Sequence, residues 1–273
     1  MSWHNGIKIE RITPQTDGYK FAKNKVQSTI SHEDIFCFNI KSIYRIKNKY
    51  TWERYQDMRD DICDDLDGYY VKEMHLFHGT PYAREIAVEG FDQGLAKAKG
   101  MFGKGVYFAE HSSKSNNYAF GAFKGCPKHN NKKCEICIRR ILICKVALGR
   151  IYRTKRTVKY LPEGYHSVKA IPDTGFLLRP EYIIYNDEQV YPSFLIQYTA
   201  TYKKKPPKVS PYPLYRSLAP PIPTPTVYDI TQACSSLSLT QTAVAEDAMW
   251  ITYLQTMSNL SASAQSYYLY FFD

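Results

Sequence analysis

The sequence predicts an α+β domain, and three features carry that expectation. Short apolar runs bounded by turn residues recur from Gln27 to Tyr202. Two segments among them have helical periodicity. After Tyr202 the composition shifts abruptly to Lys and Pro, which ends the region able to build a packed core.

Residues 1–25 are polar with little periodicity and read as a loose N-terminal arm. The strand candidates are Ile35–Ile46, His75–His78, Gly105–Phe108, Arg140–Leu148, Glu181–Tyr185 and Phe194–Tyr198. Asn48–Leu66 sets Trp52, Tyr55, Met58 and Ile62 at three- and four-residue spacing, the stripe of an amphipathic helix. Pro81–Val88 is a second helix candidate, with Thr80 as its cap and Pro81 at the first helical position. The folded domain is therefore expected at 26–202, a Lys/Pro-rich linker at 203–226, and a tail of unknown role at 227–273. Within that tail Ala243–Met257 could form a helix, and the chain ends on YYLYFF.

Apolar residues make up 44% of the chain, enough to bury a core, and the formal charge is +10. That charge suits a polyanionic partner, although many soluble proteins are basic without one. The first residues lack the apolar core of a signal peptide, and no run approaches the ~18 apolar residues of a spanning helix. An intracellular protein, cytoplasmic or nuclear and without a membrane partner, is expected. In a reducing compartment clustered cysteines more often bind metal than form disulfides.

Cys126, His129, Cys134 and Cys137 form such a cluster, C-x2-H-x4-C-x2-C. Each close pair can grip one side of a metal from a tight loop, and the four N/S donors make the tetrahedral set of a structural zinc. A metal with four protein ligands has no open position, so catalysis is not assigned to it. Lys124, Lys128, Lys132, Lys133, Arg139 and Arg140 surround the cluster. They either offset the net negative charge of three thiolates and one zinc, or form a phosphate-binding knuckle. The first is favoured, because Phe123 is the one aromatic residue in the loop for a base to stack on.

Three further segments are unusual for structure alone. In LFHGT, Leu76–Thr80, a polar His78 ends an apolar strand and meets a glycine that lets a ligand approach the backbone. In Gly100–Tyr118 three glycines precede a short strand and a polar loop that ends on Tyr118. They do not form a P-loop, since Gly105 rather than Ser or Thr follows Lys104. In YNDEQVYP, Tyr185–Pro192, Glu188 sits between hydrophobic strands. Each segment taken separately reads as ordinary turns and strand ends.

Together they resemble one family. From Asn24 to Tyr202 the chain resembles the catalytic domain of the poly(ADP-ribose) polymerases, and among these most nearly the tankyrases. The strings that carry the resemblance are QSTI, LFHGT, GMFGKGVYFAEHSSKSNNY, GCPKHNNKKCEIC, GYHSV and YNDEQVYPSFLIQY. The resemblance implies an ADP-ribosyltransferase fold: two packed, mostly antiparallel sheets with flanking helices, and NAD in the cleft between them. It implies the His-Tyr-Glu signature at His78, Tyr107 and Glu188. It further implies that Gly79 and Ser115 hold the nicotinamide carboxamide, and that Tyr118 and Tyr107 flank the ring. His78 would bond the ribose next to nicotinamide, with Thr80 and Asp92 near the adenosine ribose. Leu95 and Lys97 stand where tankyrases carry a His and a Tyr.

The implied activity is NAD-dependent ADP-ribosyl transfer to acceptor proteins, including the chain itself, with extension into polymer. Transfer of a single unit is the alternative. A zinc-containing module that binds nucleic acid or ADP-ribose polymer without turnover is a third. Few residues precede the match, so activity that needs no DNA is expected.

Overall fold

A computed structural model describes residues 6–31, 34–95, 100–122, 124–172 and 177–203. Apart from Lys203, the expected linker and tail lie outside the described residues, as do Lys97 and Phe123. The strands are β1 (Ile7–Arg11), β2 (Ile35–Asn48), β3 (Glu73–Gly79), β4 (Val106–Ala109), β5 (Arg139–Ala147), β6 (Ile151–Thr154), β7 (Ser167–Ala170), β8 (Glu181–Ile184) and β9 (Val190–Tyr202). The helices are α1 (Asp17–Ser28), α2 (Lys49–Asp65), α3 (Ala83–Glu89) and α4 (Ser112–Asn116). Short 3-10 turns occupy Gln93–Leu95 and Asp187–Gln189. Among the described residues no helix is long and apolar enough to cross a membrane.

All nine strands join one sheet in the order β1-β2-β9-β5-β3-β4-β8-β7-β6, antiparallel throughout except for β6 with β7. Two packed sheets were expected, so this is a correction, and its cause is local. The β3–β5 ladder runs through seven residue pairs, whereas β3 meets β4 at a single pair, Phe77 with Ala109. The two halves are continuous by that one contact and are otherwise free to diverge along the seam.

Alternation along the strands gives each face its own core. Leu76, Leu142, Cys144 and Leu195 point to one face and pack with Ala83, Ala87 and Phe91 from the α3 segment. Phe77, Ile141, Ile143 and Ile196 point to the other and pack with Ala22 and Val26 of α1. A smaller cluster of Phe102, Val168, Ala170 and Ile183 lies along β7 and β8, with Tyr107 against it.

The N-terminal arm is a second correction, since residues 7–28 carry β1 and α1. Isoleucines at 7 and 9 pair with Asn48 and Ile46 of β2. Thr16 caps α1 by accepting from the Tyr19 N–H at 3.3 Å. Pro14 and Gly18 make the stretch look irregular, yet Gly18 is where the Arg45 guanidinium passes: an added Cβ would lie 2.2 Å from its Nη2. The expected second helix begins later than predicted, at Ala83. Thr80 Oγ1 accepts from the Tyr82 N–H at 3.2 Å and so closes the preceding turn instead. The last strand starts four residues before Phe194, because the ladder tolerates Pro192 at a register shift opposite Ile143 and Cys144.

Helix α2 follows the sequence closely. Trp52, Tyr55, Met58 and Ile62 pack in one cluster with Val71 and Ala147. Asn48 is its N-cap, accepting from the Thr51 N–H at 3.2 Å, while its own amide donates to the Val88 carbonyl at 2.6 Å. One buried side chain thereby starts α2 and ties it to the end of α3. Asn48→Ala removes the cap and strands a carbonyl, so it should cost about 1–3 kcal/mol of unfolding free energy. Chemical denaturation checks this; a variant within a few tenths of wild type would show that the tie carries no weight.

Candidate active site

Four of the expected site residues, His78, Gly79, Tyr107 and Ser115, make contact where β3 and β4 part. Beyond the Phe77–Ala109 pair, the seam is bridged by a side chain: His78 Nδ1 lies 2.9 Å from the Tyr107 carbonyl oxygen. A carbonyl can only accept, so Nδ1 carries the proton and donates it, which leaves Nε2 with an open lone pair. The ring packs against Phe91 and Phe108, with centroids at 5.1 and 5.5 Å, in a cluster where the two phenyl rings also touch. Burial pushes the imidazole below its ordinary pKa, against the opposing effect of the Tyr107 bond. His78 is thus a neutral acceptor held in one tautomer.

Gly79 is the next residue, and no other side chain fits there. A Cβ built on it would lie 1.8 Å from the Ser115 carbonyl oxygen and 2.7 Å from its carbon. The end of β3 and helix α4 therefore touch backbone to backbone, which brings the peptide of Gly79 beside Ser115. All five residues of α4 are buried. Lys114 pins the helix to β8 through Glu181, Nζ to Oε1 at 2.8 Å, and donates also to the Arg179 carbonyl at 2.9 Å.

Tyr107 is fixed by its hydroxyl, which accepts from the Phe102 N–H at 2.9 Å and donates to the Gly103 carbonyl at 3.0 Å. Gly100 permits this, since a Cβ there would meet the Tyr107 oxygen at 2.2 Å. Tyr185 braces the same turn by donating to the Phe102 carbonyl at 2.6 Å. Burial raises the Tyr107 and Tyr118 phenols, and the Glu181 carboxylate adds to both. Burial, with Tyr107 adding to it, pushes Tyr185 up to about 12. All three are neutral hydroxyls at physiological pH. Tyr118 stands just after α4 with 39% of its surface open.

Glu188 is half-buried in the turn before β9, which Asn186 caps by accepting from the Glu188 N–H at 3.0 Å. It lines a small cleft with Thr51, Arg54, Phe91, Asp187 and Val190. Phe91 therefore touches the His78 ring on one side and the Glu188 cleft on the other. Asp92 is exposed and accepts from the Gly94 N–H at 2.6 Å, and the next peptide is anchored by Gln93 N–H donating to Asp187 at 3.2 Å. Leu95, 77% exposed, follows directly. The sequence pattern missed Phe91, Phe108, Lys114, Glu181 and Tyr185. The first two looked like ordinary core residues, and the ion pair joins positions 67 residues apart in sequence.

The four metal-site residues converge on one point. Their ligand atoms all lie within 4.8 Å of one another. His129 Nδ1 is 3.5 Å from the Cys126 sulfur and 3.4 Å from the sulfurs of Cys134 and Cys137. Zinc–sulfur and zinc–nitrogen bonds of ordinary length at a tetrahedral angle would set N and S about 3.5 Å apart. The donor set and its spacing fit zinc, with His129 binding through Nδ1. The N–H groups of His129 and Cys137 donate to the sulfurs of Cys126 and Cys134, each at 3.3 Å, which stabilises thiolates. Buried Arg139 holds the loop from behind, donating to the carbonyls of Cys134 and Lys132 and to the Tyr202 hydroxyl.

Comparison with known proteins places the chain in a family. The model of the poly(ADP-ribose) polymerase catalytic domain matches residues 16–175. The chain is 27% identical over 212 residues to the human protein mono-ADP-ribosyltransferase PARP12, a match over 74% of this chain and 27% of that protein. It is 26% identical over 202 residues to a probable poly(ADP-ribose) polymerase of Dictyostelium discoideum, over 71% of this chain and 53% of the relative. It is 28% identical over 236 residues to poly(ADP-ribose) polymerase 1 of Gallus gallus, over 71% and 21% respectively. The chain thus spans about a quarter to a half of the length of these relatives.

Two variants test the geometry. Gly79→Ala sets a methyl group into backbone, so β3 and α4 must separate; the cost should be about 1–3 kcal/mol, and nicotinamide binding should fall sharply in calorimetry. Normal binding would mean that the contact is not part of a ligand site. Cys134→Ser with Cys137→Ser should release about one zinc per chain and lower the melting temperature, because metal binding here is folding energy. Elemental analysis that finds no zinc in a wild-type chain of unchanged melting would remove the site.

Proposed function

The chain belongs to the poly(ADP-ribose) polymerase catalytic-domain family, and on that premise we propose that it cleaves NAD and transfers the ADP-ribose to protein, extending it into polymer in the manner of the tankyrases. The observation that carries this reading is the joint at the seam. There the neutral His78 acceptor, the Gly79–Ser115 backbone contact and Tyr107 lie side by side.

In this reading the nicotinamide carboxamide bonds the Gly79 backbone and the Ser115 hydroxyl, and its ring stacks on the open face of Tyr118, opposite Tyr107. A cationic ring is attracted to an aromatic face. Nε2 of His78 accepts from a ribose hydroxyl, as its tautomer requires. The bond from ribose C1′ to the nicotinamide nitrogen breaks, and its electron pair neutralises the pyridinium. Positive charge develops on the ribose, as in glycoside hydrolysis, and the Glu188 carboxylate stabilises it. The same carboxylate accepts the proton of the attacking hydroxyl as that oxygen bonds to C1′. Asp92 and Thr80 lie toward the adenosine end. Zinc, held by Cys126, His129, Cys134 and Cys137, supplies structure and takes no part in the bond changes.

Polymer formation is favoured by the complete His-Tyr-Glu set, and the tankyrase type by the zinc loop. Transfer of a single unit is the second reading, favoured by the likeness to a mono-ADP-ribosyltransferase. Glu188→Gln keeps the shape and removes the charge. Chain extension on labelled NAD should fall by roughly 100-fold or more, with NAD affinity little changed. Polymer of unaltered length from the variant would sink the assignment, and a single modified band from wild type would select the second reading.

A further inference from the structure

The sheet ends on β6, the last strand in the order, so its outer edge is open among the described residues. That edge and the loop after it are strongly basic. From Ile136 to Pro162 there is no acidic residue, and Arg150, Arg153, Lys155, Arg156 and Lys159 fall within one stretch of ten residues. All five are exposed. Arg150 is tied back, donating to the Gly164 carbonyl at 2.9 Å. Among the described residues Arg153, Lys155, Arg156 and Lys159 form no ion pair. Carboxylates on neighbouring elements have other partners: Glu110 pairs with Lys169 of β7, Asp65 with His166 and Glu181 with Lys114. Glu163 is exposed at the Gly164 end of the loop, and Asp173 lies outside the described residues.

The loop is held in place without using these cations. Thr154 Oγ1 accepts from the Arg156 N–H and donates to the Arg156 carbonyl, each at 2.9 Å. Val158 and Leu161 pack with Phe102, Val168 and Ile183, which leaves Lys159 and Tyr160 between them on the outside. Tyr160 is 81% exposed. The Lys159 carbonyl lies against Gly103, where a Cβ would sit 1.9 Å from its oxygen. Gly103 is also the residue whose carbonyl accepts from the Tyr107 hydroxyl, and exposed Lys104 follows it. The basic loop is thus built onto the turn that fixes Tyr107.

Charge on an edge strand also deters pairing with another sheet. That role fits Arg153, but Lys155, Arg156 and Lys159 come after β6 has ended, and the bare tyrosine beside them adds nothing to it. Like charges crowded this closely repel one another, and a polyanion relieves the repulsion. Guanidinium and ammonium groups beside an open aromatic ring suit a phosphate chain that carries bases.

We infer that β6 and the loop after it form a docking surface for the ADP-ribose polymer, with Arg153, Lys155, Arg156 and Lys159 on its diphosphates and Tyr160 stacked on an adenine. Each unit of that polymer carries a diphosphate and an adenine, so charge and ring alternate along it. The polymer is preferred to other polyanions because the surface begins at the Tyr107 turn, and in that choice the inference rests on the proposed polymer activity. The surface keeps the growing chain beside the site where units are added.

The test is a binding titration of the full chain with labelled ADP-ribose polymer made by another enzyme, beside a single-stranded oligonucleotide and polyglutamate of matched charge. Wild type should bind the polymer most tightly, with an affinity that falls steeply as salt is raised. Arg153→Gln, Lys155→Gln, Arg156→Gln and Lys159→Gln combined should weaken binding by about tenfold or more and flatten the salt dependence. Tyr160→Ala should weaken it by roughly fivefold or more with the salt dependence kept, the scale of one lost base stack. Both variants should melt as wild type does and release nicotinamide from NAD at the wild-type rate, since the altered side chains lie outside the candidate active site. Equal polymer affinity in wild type and the combined variant overturns the inference. So does an oligonucleotide or polyglutamate bound as tightly as the polymer, which would make this a nucleic-acid or an acidic-protein surface. Because the polymer is supplied, the two readings fail separately. A wild type that releases nicotinamide and yields a single modified band strikes the polymer activity, whereas supplied polymer left unbound strikes the surface.

Discussion

The bond from His78 Nδ1 to the Tyr107 carbonyl is the interaction on which the site depends. A sheet normally holds neighbouring strands by a row of backbone hydrogen bonds. Here the row shrinks to the Phe77–Ala109 pair, and an imidazole takes over the next position. The strands can then diverge without leaving the Tyr107 carbonyl unsatisfied. The bond also selects the histidine tautomer, so the feature that closes the seam also leaves Nε2 as an acceptor. Gly79 contributes a gap of another kind, because the absence of a Cβ lets α4 reach the strand end.

A second support comes from the opposite edge of α4. Arg139 is one of the largest fully buried side chains, and its guanidinium donates to two carbonyls and a hydroxyl. Desolvating a guanidinium is costly. Two loop carbonyls, the Tyr202 hydroxyl and the Phe120 ring offset that cost, and each ties a different segment to β5. The metal loop, the residues after Tyr118 and the end of β9 therefore share one cation. That gives a physical reason for a metal held by this loop, if bound, to influence the neighbouring segments.

The fold was legible where local pattern and tertiary packing agree. The stripe of α2 is visible in sequence because an amphipathic helix buries one face. The arm at residues 7–28 was misread because β1 is short and gains its stability from β2, and because Gly18 marks a close contact rather than a turn. The last strand was expected from Phe194 and begins at Val190, with Pro192 accommodated at a register shift. Two sheets were expected where one exists, because the strand pattern carries no information about how many ladder bonds join β3 to β4.

The sequence by itself singled out the candidate site residues. A histidine followed by glycine at a strand end, a tyrosine after a glycine-rich turn and a C-x2-H-x4-C-x2-C loop are compact strings whose meaning survives without coordinates. Only the tertiary structure decided how they meet: the bond from His78 to a backbone carbonyl 29 residues away, the Gly79–Ser115 contact, the Lys114–Glu181 pair and the ring of Phe120 on Arg139. The reason is physical. Residue type and local spacing fix what a group can donate, accept or ligate, whereas tautomer, burial and charge partner depend on segments brought together when the sheet forms.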